Sequence, residues 1–120
     1  MHSDFLVDTQ VSDLAITVTI RGELDLLSAP ALERALERLP ESEADLIILD
    51  LRGLEFMDST GLHLLVQAQV KAQQSGRRLA LIKGGEQVQR LFQLTGVTEG
   101  LTIVESPDEL LEVDQAPGAP

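Results

Sequence analysis

The chain has no cysteine, no tryptophan and no tyrosine, and only three phenylalanines in 120 residues. Without thiols, disulfides, zinc–thiolate sites and cysteine nucleophiles are excluded. With so few aromatics there is no platform on which nucleic-acid bases would stack. Basic residues are also scarce, 9 Lys and Arg against 20 Asp and Glu, for a net charge of −11 and a pI near 4.4. That balance argues against nucleic acid and against an anionic membrane surface, and favours a partner with a basic docking face. No apolar stretch approaches the roughly 20 residues of a membrane span. Met1-His2-Ser3-Asp4 lacks the basic and apolar regions of a secretory signal, so the expected location is the cytoplasm.

Hydrophobic residues make up 43% of the chain, mostly Leu, Val, Ile and Ala, which suits one small layered α/β domain. Phe5-Leu6-Val7 and Ala15–Ile20 read as an opening antiparallel hairpin turned at Ser12-Asp13. Ile16, Val18 and Ile20 alternate there with Thr17 and Thr19. The chain is then expected to leave the sheet through Gly22. Ser28-Ala29-Pro30 has the form of a helix start with Ser28 as N-cap, and Pro40 is the stop. Leu46-Ile47-Ile48-Leu49 is apolar without alternation, as in a strand covered on both faces, and Arg52-Gly53 is expected to turn the chain. Residues 60–75 have helical spacing with Leu64, Leu65, Ala68 and Ala72 as the stripe, and Gly76 stands at the C-terminal cap. The opposite face is rich in glutamine and uncharged until Lys71. Leu62 and Val66, if they fall outside the stripe, would add an apolar patch open to a partner. A strand at 77–83, a helix at 86–95 closed by Gly96, a short strand at 101–104 and a capping box at Ser106-Pro107-Asp108-Glu109 follow. The expectation is a single α/β domain over residues 1–113, with a mixed sheet of four to five strands and a disordered tail over 114–120. Helices are expected at 29–39, 60–75, 86–95 and 107–113.

One stretch stands out for chemistry: Asp58-Ser59-Thr60-Gly61, between the most hydrophobic run and the long helix. Asp, Ser and Thr are the best N-cap residues, so helix stability alone accounts for any one of them. A cap needs one acceptor, however, and three precede a glycine here. Ser59 and His63 share a helix face at a spacing of four, yet a nucleophile elbow would require glycine at Met57. Asp50 is a candidate for an aspartate-phosphorylated receiver, but the opening hairpin and the alternating Glu23 and Asp25 do not supply the acidic pair such a domain needs. Gly84-Gly85 lacks the following Lys-Ser/Thr of a phosphate loop, so a phosphate on Ser59 would have to come from another protein.

Gly22-Glu23-Leu24-Asp25, Leu49-Asp50-Leu51, Phe56–Leu62 and Arg90–Val97 occur in the order and spacing of the STAS domain. The chain resembles in particular the bacterial anti-sigma factor antagonists. That resemblance implies a protein–protein switch with no catalysis, cofactor or metal of its own. Ser59 would be phosphorylated by an anti-sigma factor kinase that carries ATP, and the unphosphorylated form would bind that kinase and free the sigma factor. A PP2C-type phosphatase would reset the switch. Thr60 is the alternative acceptor, and Asp58 would orient the hydroxyl. The implied docking face takes Gly22, Glu23 and Asp25 from one loop, then Asp58, Ser59, Thr60, Gly61, Leu62 and His63, with Val66 one turn on. His63 stands where many members have a small residue. The alternative is a STAS subunit of another branch, a stress-signalling scaffold or lipid-transport accessory, that binds partners without a phosphoserine cycle.

Overall fold

A computed structural model of the chain describes residues 5–40 and 42–110. Five strands lie in their sequence order: β1 (Leu6–Val11), β2 (Ile16–Leu24), β3 (Leu46–Met57), β4 (Arg78–Ile82) and β5 (Thr102–Val104). The β1–β2 hairpin is antiparallel and the other three pairings are parallel. Helices α1 (Ala29–Glu37), α2 (Ser59–Gln74) and α3 (Glu86–Thr95) make the crossovers. Right-handed crossovers that step in one direction along a sheet place their helices on one face. The main core agrees: Val18, Leu49 and Leu81 from the strands meet Leu32, Leu65 and Phe92 from the helices. The other face carries a smaller cluster of Ala15, Leu46, Ile48, Ala80 and Ile82, against which Val104 and Leu110 pack. Leu110 belongs to a fourth helical segment, α4, described over 107–110; the expected residues 111–113 and the tail lie outside the described residues.

Two expected chain exits are not exits. β2 continues through Gly22 to Leu24, and β3 through Arg52-Gly53 to Met57. The reason is irregular pairing. β3 takes an extra residue between Thr19↔Asp50 and Arg21↔Gly53, and again between Gly22↔Leu54 and Glu23↔Phe56. Each bulge shifts the phase of the pleat, so the buried positions run Leu51, Leu54, Met57 instead of alternating. Gly22, at φ 95°, adopts a conformation in this stretch that a side chain would strain.

The helix ends follow local chemistry. Behind α2, Arg77 N–H bonds Ala72 C=O at 2.8 Å and Gly76 N–H bonds Gln73 C=O at 3.1 Å, with Gly76 left-handed at φ 74°. This is the paired bonding of a Schellman cap. At α4, Glu109 Oε2 accepts from the N–H groups of Glu105 and Ser106 at 2.9 and 3.2 Å, which is half of the expected capping box. Ser28 departs from expectation. Its side chain makes no cap bond to α1, because the hydroxyl turns back into the loop before it.

Candidate functional site

The long β2–β3 pairing brings two segments together beyond the end of β4. Pairing with β4 stops at Asp50↔Ile82, whereas pairing with β2 runs on to Leu24↔Met57. The overhanging end of β3 is instead held by a side chain. Gln87, at the start of α3, accepts from Met57 N–H through Oε1 and donates to Met57 C=O through Nε2, both at 2.9 Å. The amide thus takes the place of a neighbouring strand.

The loop from β2 to α1 is tied into a fixed shape. Asp25 Oδ1 accepts from Leu27 N–H and Ser28 N–H at 3.0 and 3.1 Å. The Ser28 hydroxyl accepts from Asp25 N–H at 2.9 Å and donates to Glu23 C=O at 2.7 Å. Between these anchors Leu26 and Leu27 stand 71% and 72% exposed. Phe56, paired with Glu23, adds a third partly exposed apolar side chain.

Next to this loop the chain turns from β3 into α2. Asp58 N–H bonds Leu24 C=O at 3.2 Å, which joins the two segments. Asp58 is the N-cap: its Oδ1 accepts from Thr60 N–H at 2.9 Å and Gly61 N–H at 3.1 Å. A carboxylate there satisfies two otherwise free donors and complements the helix dipole. The carboxylate is thus engaged with the helix backbone through Oδ1. Ser59 opens the helix, exposed, and its hydroxyl takes no hydrogen bond from the described residues. Thr60 is half-buried.

The expected face is only partly a surface. Ser59 and His63 are exposed, and Glu23, Asp25, Asp58, Thr60 and Val66 are half-buried. Gly22, Gly61 and Leu62 are buried. Leu62 is 5% exposed within the main core, so the apolar patch expected from it does not form. A Cβ on Gly61 would lie 2.7 Å from Leu24 Cγ and 2.8 Å from Met57 Cγ, so this glycine lets α2 seat against the strand ends. The exposed residues of α2 are Ser59, His63, Gln67, Val70, Lys71, Gln73 and Gln74, and Lys71 is the one Lys, Arg, Asp or Glu among them. In a chain with 24% charged residues, a face with so few charges is suited to a protein contact. Sequence reasoning missed Leu26, Leu27 and Gln87. The two leucines did carry a signal, since neither strand nor helix period explains an adjacent pair before Ser28.

Other chemistry is sparse. Ser59 and His63 share no hydrogen bond, and among the described residues no cluster of His, Asp or Glu is arranged to hold a metal. The groove of about 320 Å³ between α1 and α2 is lined by Leu36, Ile47, Ala68 and Leu79 and includes neither residue. Asp50, expected at a strand end, lies within β3 and is 7% exposed. Arg52 holds it from two sides, Nε to Oδ1 at 3.0 Å and Nη2 to Oδ2 at 2.8 Å, and Arg52 N–H also donates to Oδ1 at 3.0 Å. Burial by itself would raise the Asp50 carboxyl. The Arg52 side-chain and backbone hydrogen bonds, with the charges of Arg52 and Arg21, outweigh it and hold the group below the usual carboxylate range. The pair is structural, and it has a pH signature. The folded state binds this proton less readily than the unfolded chain. Its stabilisation is therefore present above the unfolded carboxyl's value of about 3.9 and is lost as pH falls through the lower folded value. Asp50→Asn is expected to lower stability in denaturant titrations at about pH 6, with the difference from wild type shrinking toward about pH 2.5. A difference independent of pH would contradict the assignment.

The STAS domain model matches residues 7–110. The anti-sigma-B factor antagonist of Bacillus subtilis is 38% identical over 97 residues, covering 81% of this chain and 88% of that protein. Among solved structures, an anti-sigma factor antagonist from Mycobacterium paratuberculosis superposes with a TM-score of 0.82 at 24% identity, covering 92% of this chain and 93% of that one. The Bacillus cell fate determinant SpoIIAA in its phosphorylated form superposes with a TM-score of 0.63 at 19% identity, covering 93% of this chain and 100% of that one. At these identities the two structures speak to the fold alone. No described helix is long and apolar enough to cross a membrane.

Proposed function

The chain belongs to the STAS domain family, and on that premise we propose that it is an anti-sigma factor antagonist switched by phosphorylation of Ser59. In the unmodified state it binds an anti-sigma factor that is also a serine kinase, and so frees a sigma factor. The Ser59 hydroxyl oxygen attacks the γ-phosphorus of ATP held by that partner. The bond from phosphorus to the ADP oxygen breaks, and the hydroxyl proton leaves to a base on the partner. A PP2C-type phosphatase hydrolyses the ester and resets the cycle. The observation that carries this reading is the state of the Ser59 hydroxyl, which is exposed, free of hydrogen bonds from the described residues and fixed at the first position of α2. The name of the Bacillus subtilis relative supports the antagonist role, and SpoIIAA is a protein of this fold that has a phosphorylated form.

The charge arithmetic suits release. A phosphoryl group adds about −1.5 to −2 charge. At Ser59 it would meet a helix start whose N2 and N3 donors are already bonded to Asp58, so of the first three donors only the N–H of Ser59 is left to face the new charge. Incubation with the cognate kinase and ATP is expected to add one phosphate to wild type, none to Ser59→Ala and one to Thr60→Ala. Label retained by Ser59→Ala and lost from Thr60→Ala would move the acceptor by one residue. Stable capture of partners with no labelling of any form would favour a STAS branch that does not cycle.

A further inference from the structure

We propose that His63 is the resident counter-charge for a phosphoryl group on Ser59, drawing it along the outer face of α2 and away from Asp58. The inference rests on the reading of Ser59 as the acceptor. Ser59 and His63 are four residues apart in α2 and both exposed, which places their side chains as neighbours on one helix face. Two of the donors at this helix start, Thr60 N–H and Gly61 N–H, are held by Asp58 Oδ1, so the phosphoryl group finds a carboxylate on those two donors and only the N–H of Ser59 itself left to it.

Among the described residues, the segments forming this end of the sheet, 22–28, 55–63 and 84–87, carry Glu23, Asp25, Glu55, Asp58 and Glu86 and neither lysine nor arginine; Arg21, Arg52 and Lys83 stand just outside them, Arg21 opposite Gly53 in the β2–β3 pairing. Lys71 is two turns beyond His63 on α2, about 12 Å along the axis. Arg90 is one turn into α3 from Glu86. His63 is therefore the side chain in these segments that can bring positive charge to the phosphoryl group. An imidazolium there favours the dianionic ester, and the dianion in turn favours the imidazolium. In the unphosphorylated state His63 has no such role, which distinguishes this function from a packing one.

The test uses the full chain with phosphoserine installed at position 59 during translation, so that no kinase is needed, and with His2→Gln to leave one imidazole. Phosphorus NMR against pH reads the second ionisation of the ester. Its midpoint is expected to lie about 0.5 pH unit lower with His63 than in His63→Gln, a size typical of an exposed charge pair. His63→Lys, which keeps a cation at the position, is expected to restore the lower midpoint, and about 1 M salt to erase the difference. Equal midpoints with His63 and with His63→Gln would overturn the proposal. Because the ester is built in, a failure of kinase labelling would remove the proposed cycle without touching this result, and the reverse holds as well.

Discussion

Ser59→Asp is expected to bind the anti-sigma factor kinase about 100-fold more weakly than wild type at low salt. The substituted carboxylate would face the phosphates of the ATP that the partner holds against this serine. Such a like-charge contact costs several kcal/mol even within a basic docking face, and each ~1.4 kcal/mol is a factor of ten in affinity. The substituted carboxylate would stand beside Asp58, in an end of the sheet that already carries Glu23, Asp25 and Glu55. The apolar contributors Leu26, Leu27 and Phe56 are untouched by the change, so residual binding should persist and recover as salt screens the repulsion. Ser59→Asn, of similar size and without charge, is the control and should bind nearly as wild type. Calorimetric titration at about 50 mM and about 500 mM salt separates the cases, the two lying on either side of a Debye length near 10 Å. Equal weakening by Asn and Asp would mean that shape, not charge, closes the interface. Equal affinity of Asp and wild type would sink the switch as described.

Gly61→Val is expected to destabilise the fold by about 3 kcal/mol or more, the upper end of overpacking costs. The first added atom already comes within 2.7–2.8 Å of side-chain carbons of Leu24 and Met57, both 0% exposed, and valine adds two more. Helix propensity works the other way by less than about 1 kcal/mol, so packing decides the sign. Thermal unfolding should fall by roughly 10 °C or more for a domain of this size. The damage should also be local. To make room, the N-terminus of α2 must lift from the ends of β2 and β3, which moves Asp58 and Ser59 as a unit. Gly61→Ala is the milder companion and should fall between wild type and valine. A valine variant as stable as wild type would show that the strand ends yield easily, and that Gly61 is present for access to the turn instead of for packing.

Much of the fold was legible because its signals are local. The Ile16, Val18, Ile20 alternation marks β2, the left-handed glycines at 76 and 96 close α2 and α3, and Glu109 reaches back to its own helix start. The continuation of β3 was not legible. Arg52-Gly53 reads as a turn, and only pairing with β2 makes it a bulged strand. Leu62 was misplaced for a related reason. The end of the sheet extends further than the sequence suggested, so the first turn of α2 has strand beneath it and Leu62 packs inward. Gln87 could not have been found, since its partner lies 30 residues away and nothing in its neighbours distinguishes an amide that closes a strand from one on the surface.

That a helix starts within Asp58-Ser59-Thr60-Gly61, one residue earlier than the expected 60 as it turned out, was readable from residues able to cap it, because capping is a contact between residues two or three apart and needs no other part of the chain. The sequence also determined that the chain is acidic, without thiols, and built for a single layered core. Which of the candidate residues form a surface depended on packing between distant segments. Packing buried Gly22, Gly61 and Leu62, exposed Leu26 and Leu27 on the loop that follows Leu24, and left the Ser59 hydroxyl without a hydrogen bond among the described residues while Asp58 was engaged. Those outcomes depend on how far β2 and β3 pair and on what closes the end of β3. Contacts between residues tens of positions apart settle both, and local pattern carries no record of them.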